Sequence, residues 1–226
     1  MEIERSSGPA GPQDPRTEAV NVSRPAVVSC PMACVARGLV LLLIVLAAPA
    51  TGSVRPRPHY LAPVEHSGMV FPLARSSWYS VINFTDDWHA PRMRLIGTQW
   101  KQVGIHEGND LFAEPGTPVR AVLGGTVERI GWTFYSGWRI GVRGSDGRYW
   151  FYAHLRRFAP GISAGSRVAA GTTIGFVGNT GYGSSPGHSG EFIYHLHIGI
   201  QEPDGTWTNP YPLMRSLYRA AVRSRP

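Results

Sequence analysis

The sequence predicts an all-β fold, and three features carry that prediction. Gly 27 and Pro 19 among 226 residues, with no three-residue period, signal many tight turns. Short apolar stretches at 119–123, 126–130, 139–142, 149–153 and 173–177 are separated by Gly, Pro or Asp. Between residues 192 and 200 the text FIYHLHIGI alternates with the period of a strand. A hydrophobic fraction of 42% against 16% charged residues excludes wholesale disorder.

The N-terminal extension is expected to carry an export signal. Residues 39–48 read LVLLLIVLAA behind Arg37. Ten apolar residues are too few to span a bilayer, which takes about 20. They suit the core of a secretory signal, with Ala48-Pro49-Ala50 and Thr51-Gly52-Ser53 as a cleavage zone. Met32 opens MACVARG, an ordinary short leader, so it is an alternative start to Met1. A retained membrane anchor and a buried core helix are the other readings of the run. Cys30 and Cys34 both fall in this extension, residues 1–50, and no cysteine follows. A metal in the remainder would have to be held by His and carboxylate.

Residues 51–99 form a lead-in or pro-segment. Arg-Pro-Arg-Pro at 55–58 is expected to be extended, and residues 76–100 show no clear period. The β rhythm runs from about 100 to 214. Residues 211–223, YPLMRSLYRAAVR, have helical spacing and predict one short helix, most of it within the C-terminal tail at 215–226.

The net charge of +7 lies wholly beyond residue 50, where 18 basic groups face 11 acidic ones. Such a surplus favours anionic partners such as nucleic acid, anionic lipid or a wall polymer. No basic run exceeds Arg156-Arg157, which argues against nucleic acid.

The histidines carry the chemistry. In a strand, His195 and His197 share one face with Gly199, while Phe192, Tyr194, Leu196, Ile198 and Ile200 share the apolar one. His106 and Asp110 are four apart, so a strand or a helix would place them together, and the flanking glycines argue against a helix. His154 ends the apolar run YWFYAHL. Each signal alone also fits an ordinary surface or core histidine. Together, His, Asp and His are the ligand types zinc prefers in a catalytic site that keeps one position open for water. Further histidines could then move protons or stabilise charge.

These residues resemble a known family. GIHEGNDLFAEPGTPVRAVLGGTV, YAHL, GSRVAAGTTIGFVGNTG, YHLHIGI and NPYPLM stand in the order of the lysostaphin-type (LytM-like) zinc endopeptidases of bacterial cell walls, over roughly residues 100–214. The resemblance implies compact antiparallel sheets around an open zinc groove. It implies His106, Asp110 and His197 as zinc ligands and His154 and His195 as catalytic histidines. It implies peptidoglycan as substrate, cut in its peptide part by metal-activated water, outside the cytoplasmic membrane. Glu107 neighbours a ligand, but alternation turns it away, so it is not expected to be the base. Asn109 replaces the family's usual aliphatic residue, Ile198 its more frequent Phe, and 182–194 is longer than usual. The long link is expected to form a groove wall, with His188 as a loop residue. The alternative is a non-catalytic module of the same fold that activates another wall hydrolase; such modules typically lose ligands, and all five positions are present here. A phosphohistidine sugar carrier would need neither an export signal nor His106 and Asp110.

Overall fold

The computed structural model describes residues 59–76 and 82–224. The signal region, Met32 and both cysteines lie outside them. Among the described residues no helix is long and apolar enough to cross a membrane.

The elements in order are β1 (Glu65–His66), β2 (Met69–Val70), β3 (Pro91–Ile96), β4 (Gln99–Ile105), β5 (Asn109–Phe112), β6 (Pro118–Arg120), β7 (Gly125–Thr133), β8 (Gly137–Gly144), β9 (Tyr149–Phe158), β10 (Arg167–Val168), β11 (Thr173–Val177), β12 (His195–Gln201), β13 (Trp207–Thr208) and α1 (Tyr211–Arg223). All strand pairings are antiparallel. The predicted apolar stretches become β6 to β9 and β11, and the predicted helix is α1.

One nine-stranded sheet holds the site. Its main path runs β10-β7-β8-β9-β11-β6. Strand β9 has β8 along one edge and shares its other edge between two partners. Tyr149–Ala153 pair with β12, whereas Leu155–Phe158 pair with β11. The changeover falls at His154, whose φ is +60°, in the left-handed region. The ladder to β8 is irregular at the same point. A β-bulge re-aims a side chain in this way, and His tolerates the left-handed region better than most residues.

Alternation decides which side of β12 is core. Leu196, Ile198 and Ile200 are buried with Leu111, Ile140, Trp150 and Tyr152. Each such side chain stabilises the fold by about 1.5–3 kcal/mol. His195 and His197 take the opposite face, as expected. Phe192 and Tyr194 do not extend the apolar face, because the strand starts only at His195. Tyr194 is exposed, and Phe192 packs on the ring of His154 with centroids 4.6 Å apart.

The lead-in is more than an extended spacer. Val70, Phe71, Leu73 and Ala74 are buried. Phe71 lies 5.1 Å from Tyr218 of α1, ring to ring, and α1 buries Met214, Leu217 and Ala221. Strands β3 and β4 form a separate two-stranded hairpin whose side chains are nearly all exposed, Trp100 among them at 67%.

Candidate active site

Asp110 of β5 and His197 of β12 are direct cross-strand partners. Opposed residues of an antiparallel pair share a face, so their side chains meet: His197 Nδ1 lies 3.0 Å from Asp110 Oδ1. His106 arrives differently from the single strand expected. It follows the last residue of β4, and the chain bends at Gly108 before β5 begins. The bend swings its ring over the start of β5, with Nε2 3.1 Å from Asp110 Oδ1 and 2.9 Å from His197 Nδ1. The bend needs Gly108. A Cβ there would collide with the His197 ring and stand 2.8 Å from the Ile198 carbonyl oxygen. Gly108→Ala is expected to displace His197 and cost about 1–3 kcal/mol. Thermal melting and metal retention of the variant check this, and both should fall.

His106 Nε2, Asp110 Oδ1 and His197 Nδ1 thus form a triangle that could hold a metal ion. Tetrahedral coordination at about 2.0–2.2 Å separates ligand atoms by about 3.3–3.5 Å. The triangle needs to open by only a few tenths of an ångström.

His154 and His195 flank it. His154 Nδ1 donates to the Thr180 carbonyl at 2.8 Å, and His195 Nδ1 donates to the Ile193 carbonyl at 2.8 Å. A carbonyl can only accept, so each proton sits on Nδ1 and each Nε2 keeps its lone pair. His195 Nε2 points inward, 3.6 Å from Asp110 Oδ1. The two rings lie 4.8 Å apart. Burial pushes both histidines below their ordinary pKa, His154 furthest, and the neighbouring His195 adds to that shift. Both are therefore neutral at pH 7 and able to accept a proton.

Asp110 behaves oppositely. Burial would raise its pKa, but hydrogen bonds to His106 and His197 hold it well below the carboxylate range. For His106, burial favours the neutral ring, yet the bonds to Asp110 and Asp87 outweigh it and hold its pKa up at about 9. In the metal-free protein His106 is thus an imidazolium at pH 7.5, and a nitrogen ligand must be unprotonated. Metal loading is expected to release about one proton per chain at pH 7.5, falling towards none above pH 9. Calorimetry in buffers of different ionisation enthalpy reads this directly.

The five side chains line a groove of two adjoining depressions that meet at Arg92, His154 and Tyr182. The β3–β4 hairpin forms one wall. Tyr182 and residues 191–193 of the long link form another, while His188 pairs with Glu191 at 3.1 Å. Glu107 sits exposed on the rim.

Two residues at the site went unnoticed in the sequence. Arg92 Nη2 holds Asp110 Oδ2 at 3.2 Å, which leaves Oδ1 to face the histidines. Asp87 accepts from His106 Nδ1. Both come from the stretch without a period, so no pattern marked them.

Residues 104–210 match the profile of peptidase family M23. The match spans the triangle, both flanking histidines and every strand that carries them. These residues are an M23 peptidase domain. The chain is 46% identical over 118 residues to the L-Ala–D-Glu endopeptidase of Bacillus subtilis, covering 51% of this chain and 36% of that protein. It is 39% identical over 119 residues to glycyl-glycine endopeptidase ALE-1 of Staphylococcus capitis, covering 50% and 30%. A crystal structure assigned as the glycyl-glycine endopeptidase LytM of Ruminococcus gnavus superimposes with a TM-score of 0.56 at 34% identity, over 66% of this chain and 60% of that one. The chain spans only about a third of the length of these two curated relatives.

Proposed function

We propose that the M23 domain, over about residues 100–214, is a secreted zinc endopeptidase that hydrolyses peptide bonds of peptidoglycan. One observation carries the reading. A His-Asp-His triangle able to bind metal lies beside two neutral histidines whose Nδ1 atoms are tied to carbonyls. A structural metal site would not need such neighbours. In this reading His106, Asp110 and His197 hold the ion, and residues 1–50 direct the chain out of the cytoplasm. The donor set, two imidazoles and one carboxylate, suits zinc and leaves a coordination position open. When bound, zinc would supply a Lewis acid and lower the pKa of water.

The chain's own residues do the rest. His195 and His154 present Nε2 lone pairs to the groove. Their neutrality lets one accept a proton from the attacking water and pass it to the leaving amine. The other can donate to the developing oxyanion from Nε2 only after that nitrogen takes up a proton from solvent. Arg92 keeps Asp110 oriented, and the hairpin and the long link enclose the substrate chain. The curated relatives act on L-Ala–D-Glu and glycyl-glycine bonds, as their names state, and wall peptides of this kind are the substrates we expect.

Isolated peptidoglycan of several wall types, incubated with the zinc-loaded protein and read by mass spectrometry, tests the reading. New peptide termini that disappear with a chelator are the expected result. Unchanged wall peptides with zinc bound would overturn it in favour of an activator module.

A further inference from the structure

We infer that Asp87, supported by Asn109, is the positioning residue that fixes His106 as a metal ligand; this rests on the reading of His106, Asp110 and His197 as the ligand set. Asp87 lies outside the matched family segment, in the loop before β3. It nevertheless reaches both ends of the bend that carries His106. Its Oδ2 and its own carbonyl oxygen lie 3.2 and 3.0 Å from His106 Nδ1. Both can only accept, so Nδ1 carries a proton and Nε2 is the nitrogen left to face the metal. The carboxylate also takes the backbone N–H of Asp110, at 3.3 Å to Oδ2. Asp87 thus sets the ring orientation of one ligand through its carbonyl and its carboxylate, and the carboxylate also sets the main-chain position of another.

Asn109 anchors this carboxylate. It is fully buried, and its Nδ2 donates to Asp87 Oδ1 at 2.5 Å and to the Thr85 carbonyl at 2.7 Å. Its Oδ1 is buried and has no hydrogen-bond partner among the described residues. A buried unsatisfied acceptor costs about 1–3 kcal/mol, a cost an aliphatic side chain would avoid. The amide at 109 is therefore explained by what its nitrogen holds. The neighbouring Asp86 makes no such contact. It bonds Asn209 instead, at 3.1 and 3.2 Å.

Metal affinity, rather than turnover, is the deciding readout. Zinc affinity would be measured by chelator competition, with the visible spectrum of the cobalt-loaded protein and the melting of the metal-free protein alongside. Asp87→Ala is expected to weaken zinc binding about 10- to 100-fold and to alter the cobalt spectrum. Asp87→Asn keeps an acceptor for Nδ1–H and should lose less. Asn109→Leu frees the Asp87 carboxylate and should also weaken binding. Asp86→Ala should match wild type. Folded Asp87→Ala with wild-type affinity and spectrum would overturn the inference and leave the ligand reading intact. If Asp87→Ala does not fold, wild-type affinity in both Asp87→Asn and Asn109→Leu overturns it instead. A wild-type protein that binds no zinc would overturn the inference and the ligand reading together.

Discussion

Replacing Asp110 with asparagine is expected to empty the metal site and reduce wall-peptide hydrolysis to background. Asp110 Oδ1 is the point where three histidines converge, at 3.1 Å from His106, 3.0 Å from His197 and 3.6 Å from His195. Its charge both attracts the ion and orients the rings. Outer hydrogen-bond partners of metal ligands are worth 10- to 100-fold in affinity, so loss of the ligand itself should exceed about 100-fold. The side chain is buried, and removing one partner of a buried charge pair costs about 3–5 kcal/mol when the other stays charged. His106 can shed its proton, so the cost should fall at or below the low end of that range. Metal analysis after dialysis, beside a melting curve, checks both parts. A variant that keeps one zinc per chain would remove Asp110 from the ligand set.

Replacing His154 is expected to do the reverse, sparing the metal and removing the rate. His154 touches none of the triangle by hydrogen bond; its Nδ1 is spent on Thr180 and its ring stacks edgewise on Phe192 and His195. Loss of a positioned general acid–base lowers turnover about 10²- to 10⁴-fold. The choice of variant matters, because φ at this position is +60°. Alanine in the left-handed region costs about 1–2 kcal/mol, whereas asparagine tolerates it. His154→Asn is therefore the cleaner variant. It should keep zinc affinity and KM near wild type while kcat falls. Near-normal kcat would exclude His154 from proton transfer and oxyanion stabilisation.

The strands of the main sheet were legible as short apolar runs between turn residues, because most of their side chains are buried. Leu196, Ile198 and Ile200 point inward, which by itself sends His195 and His197 outward together. The β3–β4 hairpin was not legible. Arg92–Leu95 alternate, but QWKQVGI does not continue the pattern, and neither face packs on a core. The pairing of His106 with Asp110 was legible as a spacing, but its cause was not. The two residues meet through a bend at Gly108 rather than along one strand. Asp87 and Arg92 act on residues 18 to 23 positions away. Contacts at that distance are made by the loop before β3 and by the hairpin, and no local pattern encodes them. Asn109 was visible as a departure from the family pattern, and its reason lies in that same loop.

Titrating zinc into the metal-free protein while following release of wall peptides tests the central claim most directly. The account predicts no release without metal, and release that rises to a plateau at one zinc per chain. Hydrolysis that persists in the metal-free protein would contradict it.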